Sequence, residues 1–272
     1  MPNPVWVIEA QVAQQRIANF LPKKQSIEKA FGISNETKSF EFTANDFLKY
    51  FEELTQVPNI GGVRLYFANM IPPNSTGGDA DEMHINSRNK LALIIAPTTI
   101  LTVTAPNESA PDLGNTYYFI YRDRNNNTIM RIVGTSSDEI LRRKRWKESY
   151  LAGAAKHEHL VKEFKVYETR SIWYNLPIFK SNDPSLPGMI EFINTNNISK
   201  VIMHIASRSL DEPYPNQLDI VYELNDGTNQ YYTRLNIDDI NKSLHGLNDK
   251  VRLAITTTYG DTGIPCPPRI CN

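Results

Sequence analysis

The chain has few of the features that mark a special environment. Its 272 residues include only two cysteines, so a disulfide framework is not what holds it together. No apolar run approaches the roughly 18 residues that a membrane-spanning helix requires. The first residues lack the basic start and the apolar centre of a signal peptide. These absences predict a cytoplasmic protein without membrane insertion.

An excess of charge of one sign is also missing. The 29 Lys and Arg residues are balanced by 30 Asp and Glu residues, which gives a formal net charge of -1 at pH 7. Such a balance removes the electrostatic footprint of a general nucleic-acid or anionic-membrane binder. Any partner must therefore be recognised locally. We expect a protein partner, and a homo-oligomer stays open.

Linear catalytic motifs are missing as well. The sequence has no glycine-rich phosphate loop, no Ser-His-Asp constellation and no pair of carboxylates at catalytic spacing. This favours a non-enzymatic protein that uses no cofactor. An enzyme stays open, because catalytic groups assembled from distant loops leave no linear motif.

What the sequence does contain is an internal similarity. Four segments of the first half match four segments of the second half in the same order: 23–42 with 156–174, 59–68 with 197–206, 89–95 with 216–222, and 115–121 with 229–235. A fixed order of matches is the signature of a duplicated unit. The sequence predicts a first unit over 1–135, a second over 136–261 and a Pro/Cys-rich tail over 262–272.

Each unit has a mixed secondary-structure pattern. Apolar residues alternate at Val63, Leu65 and Phe67, and in three similar runs, as expected for strands. Thr43 is placed to cap a helix whose apolar stripe includes Phe47. Short links between consecutive strands favour antiparallel pairing. The expected fold is α+β, with two tandem related units, each a mainly antiparallel sheet covered by helices, packed as a pseudo-dimer.

An acidic loop is one candidate site. Asp79, Asp81, Glu82 and His84 follow a flexible Asn-Ser-Thr-Gly-Gly run. Their oxygen and nitrogen atoms could hold a divalent ion, as in a metal-assisted hydrolase. The same composition is typical of an exposed loop.

A basic segment is the second candidate. It consists of Arg142, Arg143, Lys144, Arg145, Trp146 and Lys147. Five cations around one indole could hold phosphates while the indole stacks on a base. A basic helix with a buried tryptophan explains the same residues.

The third candidate is the pair Cys266 and Cys271 at the end of the chain. Two cysteines cannot complete a tetrahedral zinc site alone. A disulfide, a metal role shared with other ligands and a reduced tail all remain open.

The tail also carries a resemblance. The run Gly-Asp-Thr-Gly-Ile-Pro-Cys-Pro-Pro-Arg-Ile-Cys, together with the segments that begin at Gly62 and Leu91, resembles small uncharacterised bacterial proteins that end in a Pro-Cys-Pro-x-x-Cys motif. This tail has three residues between Pro267 and Cys271, where the motif has two. The family has no assigned activity, so the resemblance implies a recurrent module and supplies no catalytic residue.

These observations together favour a non-enzymatic binding or scaffold protein that acts through protein–protein contacts. A hydrolase using the acidic loop 79–84 is the first alternative. Nucleic-acid contact through the basic segment 142–147 is the second.

Overall fold

The computed structural model describes residues 7–8, 10–31, 37–70, 90–99, 112–113, 117–123, 125–133, 140–148, 150, 169, 171–181, 187–208 and 218–233. The predicted boundaries at 135/136 and 261/262 lie outside these residues.

The described elements are strands and a smaller number of helices. In chain order they are β1 (Val7–Ile8), α1 (Ala10–Phe31), β2 (Ser39–Thr43), α2 (Ala44–Thr55), β3 (Gly62–Met70), β4 (Lys90–Thr98), β5 (Tyr117–Arg122), β6 (Thr128–Val133), α3 (140–148), β7 (Ser171–Asn175), α4 (Leu176–Phe179), α5 (Met189–Thr195), β8 (Lys200–Ser207), β9 (Leu218–Asn225) and β10 (Gln230–Thr233). The predicted class, α+β with antiparallel sheets, is confirmed.

The strands form two five-stranded antiparallel sheets. Sheet A has the order β1-β10-β9-β8-β2, and sheet B has the order β6-β5-β4-β3-β7. In sheet A the consecutive strands β8, β9 and β10 form a meander, and in sheet B the consecutive strands β3, β4, β5 and β6 do. The short strands β2 and β7 do not join the strand that follows them in the chain. β2 pairs with β8, and β7 pairs with β3.

Helix α2 forms for local reasons that the sequence anticipates. The Thr43 side chain accepts a hydrogen bond from the Asp46 backbone N–H at 3.1 Å, which satisfies one of the free donors of the first turn. Phe47, Phe51 and Leu54 follow at helical spacing, and all three are buried. Both the predicted cap and the predicted stripe are confirmed.

One apolar core includes the inner faces of both sheets and the helices α2, α4 and α5. Alternate strand residues supply it, such as Phe40 and Met203 from sheet A and Leu65 and Leu93 from sheet B. Tyr118 also belongs to this core, whereas Tyr66 packs against the cluster on the opposite face of sheet B.

The outer faces of the sheets are covered by the two remaining helices. Helix α1 lies on β8, β9 and β10 of sheet A, where Ala13 packs with Val221. Helix α3 lies on sheet B through Trp146, whose ring is 4.7 Å from that of Phe119. The order of layers is therefore helix, sheet, core, sheet, helix.

Gly62 marks the place where β7 meets β3. The indole of Trp173 lies directly over it, so a Cβ atom at this position would be 2.5 Å from Trp173 Cζ2. The glycine is needed because the first residue of β3 has no room for a side chain.

Candidate functional site

Two of the predicted sites fall outside the described residues. These are the acidic loop with Asp79, Asp81, Glu82 and His84, and the tail with Cys266 and Cys271. Within the described ranges, His, Cys, Asp and Glu side chains form no group of three or more that could hold a metal ion.

The basic segment forms helix α3, and its residues differ widely in exposure. Arg142 and Trp146 are buried, whereas Arg143, Arg145 and Lys147 are half-buried. Lys144 is exposed, and its Nζ lies 3.8 Å from Glu148 one turn later. The segment therefore turns only one of its five cations fully to solvent.

Two half-buried cations of α3, Arg143 and Lys147, lie over tyrosine rings of sheet B whose hydroxyl groups contact Asp112. The backbone of Asp112 forms a bridge with Thr98 at the end of β4, and Leu113 N–H donates to Pro97 O at 2.7 Å. These bonds fix the Asp112 carboxylate over the outer face of the sheet.

Two tyrosines and an arginine converge on this carboxylate. Tyr66 Oη is 2.8 Å from both Asp112 carboxylate oxygens, and Tyr117 Oη is 3.3 Å from Oδ2. Arg64 Nη1 lies 3.4 Å from Oδ1 and 3.3 Å from the Tyr66 hydroxyl oxygen. Tyr66 and Arg64 share one face of β3 because side chains two residues apart in a strand point the same way.

Arg143 and Lys147 close the site from the helix side. The Arg143 Cζ atom is 3.6 Å from the centre of the Tyr117 ring, and Lys147 Nζ is 3.6 Å from the centre of the Tyr66 ring. Cations over aromatic faces at this distance are attracted by the ring quadrupole. The two cations are four residues apart and so occupy the same face of α3.

We call this set the cation–tyrosine cluster. It consists of Arg64, Tyr66, Asp112, Tyr117, Arg143 and Lys147.

Arg64 is the deepest member of the cation–tyrosine cluster. The residue is only 4% exposed, and its Nε atom is buried with no hydrogen-bond partner among the described residues. A buried charged donor without an acceptor is costly. Among the residues that the structure describes, the three cations of the cluster face one carboxylate, which leaves an excess of two positive charges in this set.

The ionisation of the cluster follows from its burial. Desolvation lowers the pKa of Lys147, and the nearby charges of Arg143 and Arg64 lower it further, while Asp112 opposes them. Burial, followed by the charge of Asp112, raises the pKa of Tyr66 and of Tyr117. Both tyrosines are therefore protonated donors at neutral pH. The arrangement can bind an anion by charge and by N–H donation.

The outer face of sheet A has a different character. His204 Nε2 lies 2.9 Å from Glu223 Oε2, and Arg208 Nε lies 3.6 Å from Asp219 Oδ2. In both of these pairs a basic side chain faces an acidic one.

A cleft of about 520 Å³ lies between β2, the start of α2 and the β5–β6 turn. Its charged side chains already have partners. Glu41 is 2.5 Å from Lys200, which lowers the pKa of Glu41 by hydrogen bonding. Thr43 Oγ1 donates to Asp46 at 2.7 Å, and Arg122 donates to a backbone carbonyl of β2. The cation–tyrosine cluster is therefore the stronger candidate site.

Sequence reasoning identified only the helix side of this site. Arg143 and Lys147 belong to the predicted basic segment, but Arg64, Tyr66, Asp112 and Tyr117 were not singled out. The spacing of Arg64 and Tyr66 on one strand face was a usable signal. Asp112 had none, because it lies 46 residues from Tyr66 in the chain and joins it only in the fold.

Comparison with known proteins gives no relative to argue from. No family model, curated protein or solved structure matches this chain. In the part of the chain that the structure describes, no helix is both long enough and apolar enough to cross a membrane.

Proposed function

We propose that this is a non-enzymatic binding or scaffold protein that holds an anionic group of a protein partner at the cation–tyrosine cluster. One observation carries the proposal. Among the described residues, the buried Arg64 Nε has no acceptor, and Asp112 compensates the positive charge of the cluster only in part. An anionic group of a partner at the outer cations Arg143 and Lys147 would supply the missing charge.

The alternatives have less support. The acidic loop of the hydrolase alternative lies outside the described residues, so no described contact supports a metal site there. Nucleic-acid binding through the basic segment needs a row of cations along the phosphate backbone. Among the cations of the described helix only Lys144 is exposed, and it already faces Glu148.

We also propose that the two sheets belong to two related units packed as a pseudo-dimer. Each unit would lend the other an arm that consists of one helix and one short strand. The first arm, α1 and β2, lies on sheet A. The second arm, α3 and β7, lies on sheet B.

Strand register supports this pairing of units. Val63 pairs with Tyr174, and Val201 pairs with Phe42. In the sequence matches Val63 aligns with Val201, and Tyr174 aligns with Phe42. Two independent strand pairs thus repeat one register, as exchange of equivalent arms requires.

Two further features bear on the duplication. Asn59 and Asn197 are aligned in the sequence, and both have positive φ, 62° and 51°. Such a conformation is uncommon outside glycine, so its recurrence supports a common ancestor. The register of β5 and that of β10 differ by one residue. Tyr118 pairs with Ile95, and Thr233 pairs with Tyr222, the residue aligned with Ile95, whereas the sequence aligns Tyr118 with Tyr232.

The binding proposal is tested with an acidic peptide. The probe is a fluorescein-labelled peptide with a central run of glutamates, measured by fluorescence anisotropy against the same peptide with glutamines. We expect the full-length protein to prefer the glutamate peptide, with affinity that falls as salt rises. The double variant Arg143→Gln with Lys147→Gln should lose about tenfold or more in affinity, since it removes two charge-assisted contacts.

Lys144→Gln is the matched control, because Lys144 lies on the same helix but outside the cation–tyrosine cluster. It should change affinity less than about twofold, as expected for an exposed charge. Equal binding of the two peptides would refute the proposal. So would equal losses in the control and the double variant.

A further inference from the structure

We infer that the anionic group bound at the cation–tyrosine cluster is a phosphoryl dianion, carried by a phosphorylated side chain of the partner. The inference rests on the proposed function and specifies the ligand of the same site. It is drawn from the charge, the donors and the exposure of the cluster.

The cation–tyrosine cluster carries an excess of positive charge. In the described part of the chain, Arg64, Arg143 and Lys147 surround one carboxylate, that of Asp112, so two positive charges of this set remain. A phosphorylated side chain carries about 1.5 to 2 negative charges at pH 7. It matches this excess, whereas a carboxylate would leave one cation uncompensated.

The cationic donors of the cluster come from separate elements of the fold. Arg64 Cζ and Lys147 Nζ lie 5.8 and 3.6 Å from the centre of the same Tyr66 ring, although one residue belongs to β3 and the other to α3. Arg143 approaches from the neighbouring ring of Tyr117. Separate cations on different elements suit a tetrahedral group with three terminal oxygens better than a planar carboxylate with two.

The exposure of the cluster residues increases from Arg64 outward. The guanidinium of Arg64 lies at the base, with its side chain 5% exposed, while the Asp112 side chain keeps 18% exposure. Arg143 and Lys147 are half-buried. The cluster is therefore a partly enclosed site whose outer cations can still reach a group presented by another molecule.

Ionisation of the ligand gives a signature of the dianion. A phosphorylated side chain loses its second negative charge near pH 6. The groups that face it are Arg64 and Tyr66 from β3, Tyr117 from β5, Asp112, and Arg143 and Lys147 from α3. The arginines keep their charge throughout this range. Binding of a phosphorylated side chain should therefore weaken between pH 7 and pH 5.

The test compares three peptides with full-length protein. They are fluorescein-labelled, otherwise uncharged nonapeptides with phosphoserine, glutamate or serine at the centre, measured by anisotropy at pH 7 and pH 5. We expect the phosphoserine peptide to bind at least about tenfold more tightly than the glutamate peptide at pH 7. Most of that preference should disappear at pH 5. Arg143→Gln with Lys147→Gln should abolish it, and Lys144→Gln should preserve it.

The outcomes separate the two proposals. Equal binding of the phosphoserine and glutamate peptides, both above the serine peptide, would overturn the phosphoryl inference and leave the proposed function standing. Binding of neither above serine would overturn both. Inorganic phosphate is the last probe. If phosphate alone binds as tightly as the phosphoserine peptide, the ligand is a free anion, and the inference of a phosphorylated partner is wrong.

Discussion

A double-mutant cycle between Gly62 and Trp173 tests the contact between β3 and β7. A Cβ atom at Gly62 would lie 2.5 to 2.6 Å from three indole atoms of Trp173, where ordinary contacts begin at 3.4 Å. In Gly62→Ala the ring must move by about 1 Å, and overpacking of this kind costs about 1–3 kcal/mol. The movement also strains the buried bond from Trp173 Nε1 to Thr98 Oγ1, which is 2.8 Å long. Losing that bond would add about 1–3 kcal/mol.

We therefore expect Gly62→Ala to lower the free energy of unfolding by about 2–4 kcal/mol. Trp173→Phe lacks the ring atoms that cause the clash, so much of this cost should vanish in the double variant. Urea unfolding of the wild type, both single variants and the double variant gives the coupling energy, which we expect to be at least about 1 kcal/mol. Additivity within about 0.5 kcal/mol would refute the reasoning, because it would mean that β7 does not lie beside β3.

Two further predictions concern the core and the cleft. Phe47→Ala should destabilise the protein by about 3–5 kcal/mol in urea unfolding, because the Phe47 ring is fully buried and its centre lies 4.1 Å from that of the stacked Phe51 ring. Lys49 is exposed on the same helix, so Lys49→Ala should change the free energy of unfolding by no more than about 0.5 kcal/mol. An equal loss in the two variants would contradict the packing argument. Glu41 should titrate below its ordinary pKa of 4.5 in an NMR pH series, and Lys200→Met should bring it back toward that value. Because the folded-state pKa is lowered, the stability contributed by this pair is present above pH 4.5 and is lost as pH falls through the folded pKa. Exposure of both side chains keeps the contribution below about 1 kcal/mol. An unchanged Glu41 titration in the variant would show that Lys200 is not the cause.

The sequence alone determined the features that depend on neighbouring residues. Alternation of apolar side chains identified β3, β4 and β5, because the strand period of two is imposed by the backbone itself. Thr43 and the apolar stripe after it identified α2, because capping and helical spacing act within a few residues. Short links indicated antiparallel pairing of β5 with β6 and of β9 with β10, because parallel strands require long crossovers. The links over 71–89 and 99–116 are long enough for either arrangement, so the fold decided how β3, β4 and β5 pair.

Only the tertiary structure decided which strands share a sheet and which side chains share a site. β2 pairs with β8 across more than 150 residues, and no local pattern specifies a partner at that separation. Asp112 reaches Tyr66 because its backbone bridges to Thr98 at the end of β4, and Arg64 is 4% exposed in the folded chain. The basic residues of α3 were visible in the sequence. Their division into one exposed cation and two that lie over tyrosine rings was not, because it depends on which face of the helix packs against the sheet.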